Sequence, residues 1–203
     1  DFDPGPLFYT LAPPNSKAGF LARYDLTGNF NYAKIIGGKS LATLNIDVNS
    51  NIFMTGYFDK TTDFDPSQAV SQLFTQVNLE CIFLCKIDSS GNLKWVKGSK
   101  GSQAYPYDQD VDQDGNFYTT GYFAGNVDFD PDTSSFFLNY TGDKDVFIQK
   151  INSSGQLAWA KSFGGNDAEF GYKVKSDNSC NVYISGTFYG TIDCDPGPAI
   201  YNL

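Results

Sequence analysis

Short stretches in which apolar and polar residues alternate recur along the whole chain. Leu44, Ile46 and Val48 are separated by single polar residues, and this period of two is typical of a strand with one buried face. Other stretches, such as residues 146–151, are nearly continuously apolar and predict strands that are covered on both faces. No segment keeps a helical period of 3.6 residues over three turns. The pattern therefore predicts an all-β protein.

An internal repeat of about 65 residues organises these strands. An Asp-Phe-Asp-Pro motif, in which Cys194 replaces the phenylalanine of the last copy, begins at Asp1, Asp63, Asp128 and Asp193. An Asp-to-Asn turn begins at Asp47, Asp112 and Asp177, and a Gly-containing turn begins at Asp25, Asp88 and Asn152. The motifs divide the chain into repeats of approximately 1–62, 63–127 and 128–192, with 193–203 starting a fourth.

Each repeat predicts four main strands and one additional hairpin. The Asp-to-Asn turn leads into a strand with a central glycine, and the Asp-Phe-Asp-Pro hairpin follows it. A strand such as 136–140 is expected next, and then a doubly buried strand such as 146–151. The Gly-containing turn leads to a strand with an aromatic residue and a lysine, such as Trp159 and Lys161, before a Gly-rich link starts the next unit.

A four-stranded sheet with apolar residues on both faces needs a neighbour on each side. Radial stacking of antiparallel sheets provides this cover, so the repeats are interpreted as blades of a β-propeller. The alternative is a β-solenoid, although 65 residues is long for one coil. Because propellers usually have at least four blades, the three repeats are interpreted as a window of a larger propeller.

Three segments carry a resemblance to a known family: Asp-Ser-Ser-Gly-Asn-Leu-Lys-Trp at 88–95, Gly-Gly-Asn-Asp at 164–167, and Asn-Val-Tyr-Ile-Ser-Gly-Thr-Phe at 181–188. Together they resemble the bacterial seven-bladed β-propeller repeat. The Asp-Phe-Asp-Pro-Gly insert is similar to a variant in secreted surface proteins of Bacteroidota. The resemblance covers the whole chain and implies a secreted or cell-surface protein, exported through a type IX system. It specifies fold more than activity.

Composition narrows the range of partners. The net charge of −9 and the pI near 4.3 disfavour nucleic acid and anionic lipid and favour divalent cations or basic surfaces. No apolar run approaches the roughly 18 residues that span a bilayer. The chain has no histidine, which removes the commonest general base and transition-metal ligand.

The paired aspartates of the repeated insert are the candidate metal ligands. Two carboxylates two residues apart on one strand face repel each other, and calcium, which accepts carboxylate and carbonyl oxygens, would offset the repulsion. The alternative is that one aspartate caps the turn before the proline while the other faces water. The candidate calcium ligands are Asp63, Asp65, Asp128, Asp130, Asp193 and Asp195.

Three further groups of residues are candidate sites. Asp110, Asp112 and Asp114 resemble the start of a calcium loop, but only the middle aspartate recurs, which favours a turn. The cysteines are expected to be packed or free, since Cys81 and Cys85 lie too far apart on one strand to bond, while a Cys180–Cys194 bridge stays open. The repeated aromatic residues predict either packing between blades or a sugar-stacking surface; they are Tyr57, Phe58, Tyr122, Phe123 and Phe188.

The repetition of the acidic residues bears on function. Without histidine only carboxylates could act as general acid and base, as in glycosidases, and such sites need residues that occur once. We therefore expect a protein that is not an enzyme: an extracellular module for adhesion or ligand binding. Its expected partners are other blades of the same or a larger protein, and a glycan or a surface protein. The alternatives are a passive structural array and a carbohydrate-active propeller enzyme.

Overall fold

The computed structural model describes residues 1–13, 17–75, 79–179 and 181–203. These residues form antiparallel sheets and contain no helix, and therefore none that is long and apolar enough to cross a membrane. The all-β prediction is confirmed. The strands are β1 (Gly19–Tyr24), β2 (Phe30–Ile36), β3 (Ser40–Ile46), β4 (Ile52–Phe58), β5 (Thr62–Asp63), β6 (Gln72–Leu73), β7 (Cys81–Ile87), β8 (Leu93–Gly98), β9 (Lys100–Val111), β10 (Phe117–Asp128), β11 (Asp145–Ile151), β12 (Leu157–Gly165), β13 (Phe170–Ser176), β14 (Val182–Thr187) and β15 (Ile192–Asp193).

Two complete four-stranded meanders occupy the middle of the chain. The first full sheet has the order β3-β4-β7-β8, and the second has the order β9-β10-β11-β12 with the short β15 added beside β12. The N-terminal pair β1-β2 and the C-terminal pair β13-β14 form two-stranded sheets. By repeat phase, β1 and β2 correspond to the third and fourth strands of a full sheet, and β13 and β14 to the first and second.

The two full sheets pack against each other through one apolar cluster. Phe53 and Leu84 of the first sheet and Phe117 and Phe147 of the second belong to it, and all four are at most 3% exposed. The rings of Phe53 and Phe117 meet edge to face with centroids 5.3 Å apart. Apolar residues on both faces of each sheet thus find cover on a neighbouring sheet, as the sequence pattern requires.

Gly-containing turns that begin at Asp25, Asp88 and Asn152 form the hairpins β1–β2, β7–β8 and β11–β12. At the first of them Asp25 Oδ1 accepts hydrogen bonds from the backbone N–H groups of Thr27 and Asn29, both at 2.9 Å. Gly28 adopts φ of +85°, a conformation that favours glycine. The aspartate and glycine therefore specify this turn chemically, which is why the motif recurs at fixed phase.

The doubly buried strand behaves differently in the different sheets. β7 and β11 are buried along nearly their whole length, as predicted. In β1, however, Phe20 is 55% and Tyr24 44% exposed, because no strand pairs with the other edge of β1 among the described residues. The prediction of a strand over 136–140 was wrong, because Phe137 forms only an isolated bridge with Asp128. The backbone N–H of Phe136 donates to the Asp128 side chain instead of to a neighbouring strand.

Candidate ligand-binding surface

The first aspartate of each insert closes the insert hairpin. Asp128 Oδ1 accepts hydrogen bonds from the backbone N–H groups of Asp130 (3.0 Å) and Phe136 (2.8 Å). The same bonds recur at the other inserts, with Asp63 accepting from Asp65 and Ser71, and Asp193 accepting from Asp195 and Tyr201. One carboxylate oxygen thus joins both arms of the hairpin in each repeat.

The second aspartate of each insert makes a local turn. Asp130 accepts from the N–H of Asp132 at 2.9 Å, and Asp65 and Asp195 make the corresponding bonds. β10 ends at Asp128, so the paired carboxylates do not share a strand face as the sequence suggested. Within the described part of the chain no group of three acidic, histidine or cysteine side chains could hold a metal ion. Calcium at these pairs stays a prediction.

Replacing the first aspartate should separate the turn role from any role of charge. Asp128 is 5% exposed, so Asp128→Ala should lower the free energy of unfolding by about 2–3 kcal/mol, because two bonds to a buried carboxylate are lost. Asp128→Asn keeps an acceptor oxygen and should lose less than half as much. Urea unfolding would measure both free energies. Asp130→Ala is the control, because it removes a single hydrogen bond to a carboxylate that is less buried. Equal stability of native protein and Asp128→Ala would contradict the turn role.

Two of the other acidic candidates, Asp110 and Asp112, also have protein partners, and Asp114 is exposed in the turn. Asp112 accepts from the backbone N–H of Asn116 at 2.8 Å within its turn. Asp110 forms an ion pair with Lys175 at 2.6 Å and accepts from the N–H of Ser176, which links β9 to β13. These carboxylates therefore hold a turn and a contact between sheets.

Cys81 and Cys85 are free and buried, as predicted. Burial raises the pKa of the Cys85 thiol to about 12, so this thiol is un-ionised at neutral pH. Cys180 lies outside the described residues, and the possible Cys180–Cys194 bridge lies outside them with it.

A continuous group of aromatic rings crosses from the first full sheet to the C-terminal pair. Tyr105 meets Tyr57 edge to face at 5.0 Å and stacks on Tyr122 at 5.1 Å. Tyr107 contacts Tyr122 at 5.6 Å and Tyr172 at 5.3 Å. Together with the adjacent phenylalanine these rings form the tyrosine cluster, defined as Tyr57, Tyr105, Tyr107, Tyr122, Phe170 and Tyr172.

Charged side chains border the tyrosine cluster. The Glu80 carboxylate accepts a hydrogen bond from the Tyr105 hydroxyl and forms an ion pair with Lys39. Lys39 also lies 3.3 Å from Asp59. On the other side, the Lys144 ammonium lies 5.6 Å from the ring centre of Tyr122. The cluster thus combines planar apolar faces with donors and acceptors of both charges.

The cluster is partly open to solvent. Tyr107 is 39% and Tyr172 42% exposed, whereas the other members are half-buried. Burial raises the pKa of Tyr122 to about 12 and also raises the pKa of Tyr107. The hydroxyl groups of these two residues therefore stay protonated at neutral pH and can donate hydrogen bonds.

Sequence reasoning found part of this surface. Tyr57 and Tyr122 belong to it, but Phe58 and Phe123 are at most 1% exposed and lie in the core, as the packing interpretation expected. Tyr105, Tyr107 and Tyr172 were missed. Their signal was the spacing of two residues between Tyr105 and Tyr107, and between Phe170 and Tyr172, at the same phase of neighbouring repeats.

A groove of about 620 Å³ runs between the second full sheet and the last insert hairpin. At the preceding junction the same place is filled: Lys97 and Asp132 form an ion pair at 2.5 Å, and Lys100 bonds to the Asp132 carbonyl at 2.6 Å. Gly164 replaces Lys100 at the later junction, as their pairing to the equivalent insert residues shows. Gly197 replaces Asp132 by repeat phase, so two missing side chains leave the groove open.

Two predicted metal ligands and one further aspartate line this groove. Asp193 and Asp195 reach it from the insert, and Asp145 reaches it from the start of β11. Asp145 was not foreseen as a candidate, because it begins an apolar run and has no acidic counterpart in the other repeats.

Comparison of the chain with protein-family models and with curated proteins found no match. The sheets, the tyrosine cluster and the groove are therefore the observations on which a function is proposed.

Proposed function

We propose that the chain is a set of β-propeller blades from a secreted or cell-surface protein. Three observations support this architecture over a solenoid. Each complete sheet is a four-stranded meander, neighbouring sheets pack face to face, and every pairing between strands is antiparallel in the described residues. Solenoid coils instead stack their strands in parallel. The resemblance of the repeat to secreted propellers of Bacteroidota supports the location.

The function proposed for this array is non-enzymatic binding of a glycan at the tyrosine cluster. The observation that carries it is the partly exposed row of rings spanning three sheets. Ligand sites in proteins combine aromatic faces with a few oriented polar groups, and tyrosine offers both in one side chain. The faces of a sugar ring present C–H groups to such rings, while its hydroxyls suit Glu80 and Lys39 at the border.

A glycan array followed by titration of the bound glycans tests this proposal. Tyr107→Ala and Tyr172→Ala remove the two most exposed rings without opening the core. Each should weaken glycan binding about tenfold or more, which is the loss expected when an aromatic contact at the centre of a binding surface is truncated.

The matched control is Tyr189→Ala, because Tyr189 is 63% exposed and lies outside the cluster. It should bind glycans as the native chain does. Absence of any bound glycan would refute the proposal and favour a protein ligand or a passive array. Binding that survives both cluster substitutions would place the site elsewhere.

A further inference from the structure

Two nearly inaccessible carboxylates lie together at the end of the groove. Asp145 is 3% and Glu169 0% exposed. Both approach the backbone of Gly164: a side-chain Cβ at that position would lie 2.5 Å from Asp145 Oδ1 and 2.9 Å from Glu169 Oε2. A side chain at this position would collide with both carboxylates, so the glycine allows them to approach the backbone of β12 and each other.

One oxygen of each carboxylate has no hydrogen-bond partner in the described residues, namely Asp145 Oδ1 and Glu169 Oε1. The other oxygens are bonded: Asp145 Oδ2 accepts from the N–H of Thr141 at 3.1 Å, and Glu169 Oε2 accepts from the N–H of Gly165 at 2.9 Å. Buried carboxylate oxygens without partners are costly, so each requires a proton, a cation or a water molecule.

Because both carboxylates are buried and close together, the negative charge of each is destabilised. Burial raises the pKa of Asp145 to about 6, and the charge of Glu169 adds to the rise. Burial likewise raises the pKa of Glu169, and the charge of Asp167 adds to that rise. At neutral pH the pair holds negative charge that no cationic side chain within 4.0 Å neutralises in the described residues.

We propose that Asp145 and Glu169 bind a calcium ion between them, beside the backbone of Gly164 and Gly165. Calcium takes six to eight oxygen ligands in flexible geometry, and carboxylates, hydroxyls, backbone carbonyls and water all serve. Neutral oxygens are at hand, since the Thr141 hydroxyl lies 3.5 Å from Asp145 and donates to the carbonyl of Gly165. The groove touches Asp145 and provides a path from solvent.

The site differs from the predicted calcium ligands because it occurs once. Its first carboxylate stands where the first full sheet has Cys81, since both residues begin the third strand of their sheet. Its second stands where β9 of the second full sheet has Ala104, because the N–H groups of Ala104 and Glu169 bond to the equivalent carbonyls of Glu80 and Lys144. The full burial of Glu169 also argues against an acid–base pair, as a substrate could not reach it.

Thermal unfolding and calorimetry with calcium chloride test the proposal. The native 203-residue chain, first treated with chelator, should bind about one calcium ion, and its Tm should rise by roughly 5 °C at a hundredfold excess over Kd. Asp145→Asn and Glu169→Gln should abolish both responses. Asp195→Asn, which changes a groove aspartate of the repeated insert, should leave both unchanged.

The behaviour in chelator shows that the variants fold. Asp145→Asn removes a buried negative charge that is close to the charge of Glu169, so its Tm in chelator should exceed that of the native chain. Lowering the pH from 7.5 to 5 should also stabilise the native chain in chelator. The pKa of Asp145 rises from 3.8 to about 6 on folding, so its contribution is present at low pH and is lost as pH rises through 6.

The charged group that acts on Asp145 is Glu169, and Asp167 acts in turn on Glu169. The ammonium of the neighbouring Lys144 pairs with Asp143, and none of these groups changes in the Asp145→Asn variant. That variant should therefore have a flatter pH profile above pH 5. No calcium response in the native chain would overturn the proposal. So would a response that persists in Asp145→Asn and Glu169→Gln, or one that is lost only in Asp195→Asn.

Discussion

Gly121→Ala is expected to lower the Tm by about 10 °C or more, corresponding to a loss of about 4 kcal/mol. A Cβ at this position would lie far inside van der Waals contact with the carbonyl oxygen of Tyr105, and 2.9 Å from the Cα of Pro106. Both atoms are backbone, so no side chain can move aside. The pairing of β10 with β9 is irregular between Thr120 and Gly121, which brings the two backbones together.

Gly28→Ala is the matched control for this substitution. Gly28 has φ of +85°, and apart from its chain neighbours no atom of the described residues lies within 4 Å of the position of a Cβ. Alanine there therefore costs only the left-handed conformation, about 1–2 kcal/mol. Differential scanning calorimetry of the two variants and the native chain would give the comparison. Equal losses in both variants would mean that backbone crowding at Gly121 contributes nothing.

The repeated glycine also shows which parts of the fold are encoded locally. Gly56, Gly121 and Gly186 hold one phase of the repeat, and each opposes a backbone carbonyl of the first strand. Turn residues and glycines act over a few positions, so their periodicity predicted the strands and hairpins of each repeat. The order of the strands in each meander follows, because short turns join sequential neighbours.

The candidate site could be predicted only in part, because it depends on contacts between sheets. Tyr57, Tyr107 and Tyr172 come from three different sheets and meet only when these pack. The pair of Asp145 and Glu169 is separated by a whole hairpin in sequence, and the burial of both could not be inferred from the apolar run next to Asp145. The repeated aspartates were predicted as metal ligands because of their periodicity. In the structure they accept backbone hydrogen bonds within each insert hairpin.

Residues that break the repeat are therefore the more informative ones for function. Gly164 stands where the preceding junction has Lys100, and Asp145 stands where the first full sheet has Cys81. The first replacement removes a side chain that fills the preceding junction, and the second adds a negative charge. Each occurs at one junction only. Binding chemistry at a single junction of a repetitive array arises through such local departures, whereas the phase-keeping residues maintain the sheets around it.

The 203-residue chain is expected to associate head to tail in solution. Its first full sheet exposes Leu44 by 50% and Ile46 by 60% beside the unpaired edge of β1, and apolar surface of this kind drives association. Among the described residues the outer edge of β14 is also unpaired. By repeat phase β14 is a second strand and β1 a third strand, and these two strands pair in each full sheet. Two copies would then supply six sheets, within the four to eight of propellers.

The full sheets define how such a junction would form. In them a lysine of the third strand lies over an aromatic ring of the second: Lys86 is 4.9 Å from the Phe53 ring, and Lys150 is 5.1 Å from the Tyr118 ring. By repeat phase the corresponding residues at the junction are Arg23 of one copy and Tyr183 of the other. Arg23 would also approach the Asp177 carboxylate, to which the Tyr183 hydroxyl donates at 3.2 Å.

Exchange of charge at this junction tests the association. Light scattering of the native chain should give a mass that rises with concentration toward twice 22.3 kDa. Arg23→Glu should remain a monomer, because the new carboxylate faces Asp177 of the next copy. Tyr183→Lys should also remain a monomer, because its ammonium faces Arg23.

Mixing the two variants should restore the dimer, since one junction then carries the native pair and the other pairs the new glutamate with the new lysine. Lys161→Glu and Phe74→Lys make the same changes of charge at exposed positions outside β1 and β14 and should leave association unchanged. Residues 1–11 and 193–203 are equivalent segments of the repeat, so at each junction both would occupy the same position. One of the two hairpins must therefore be displaced on association. This displacement weakens the dimer and makes its concentration dependence measurable. A native chain that stays monomeric at all concentrations, or a mixture of the variants that fails to dimerise, would show that these edges do not pair.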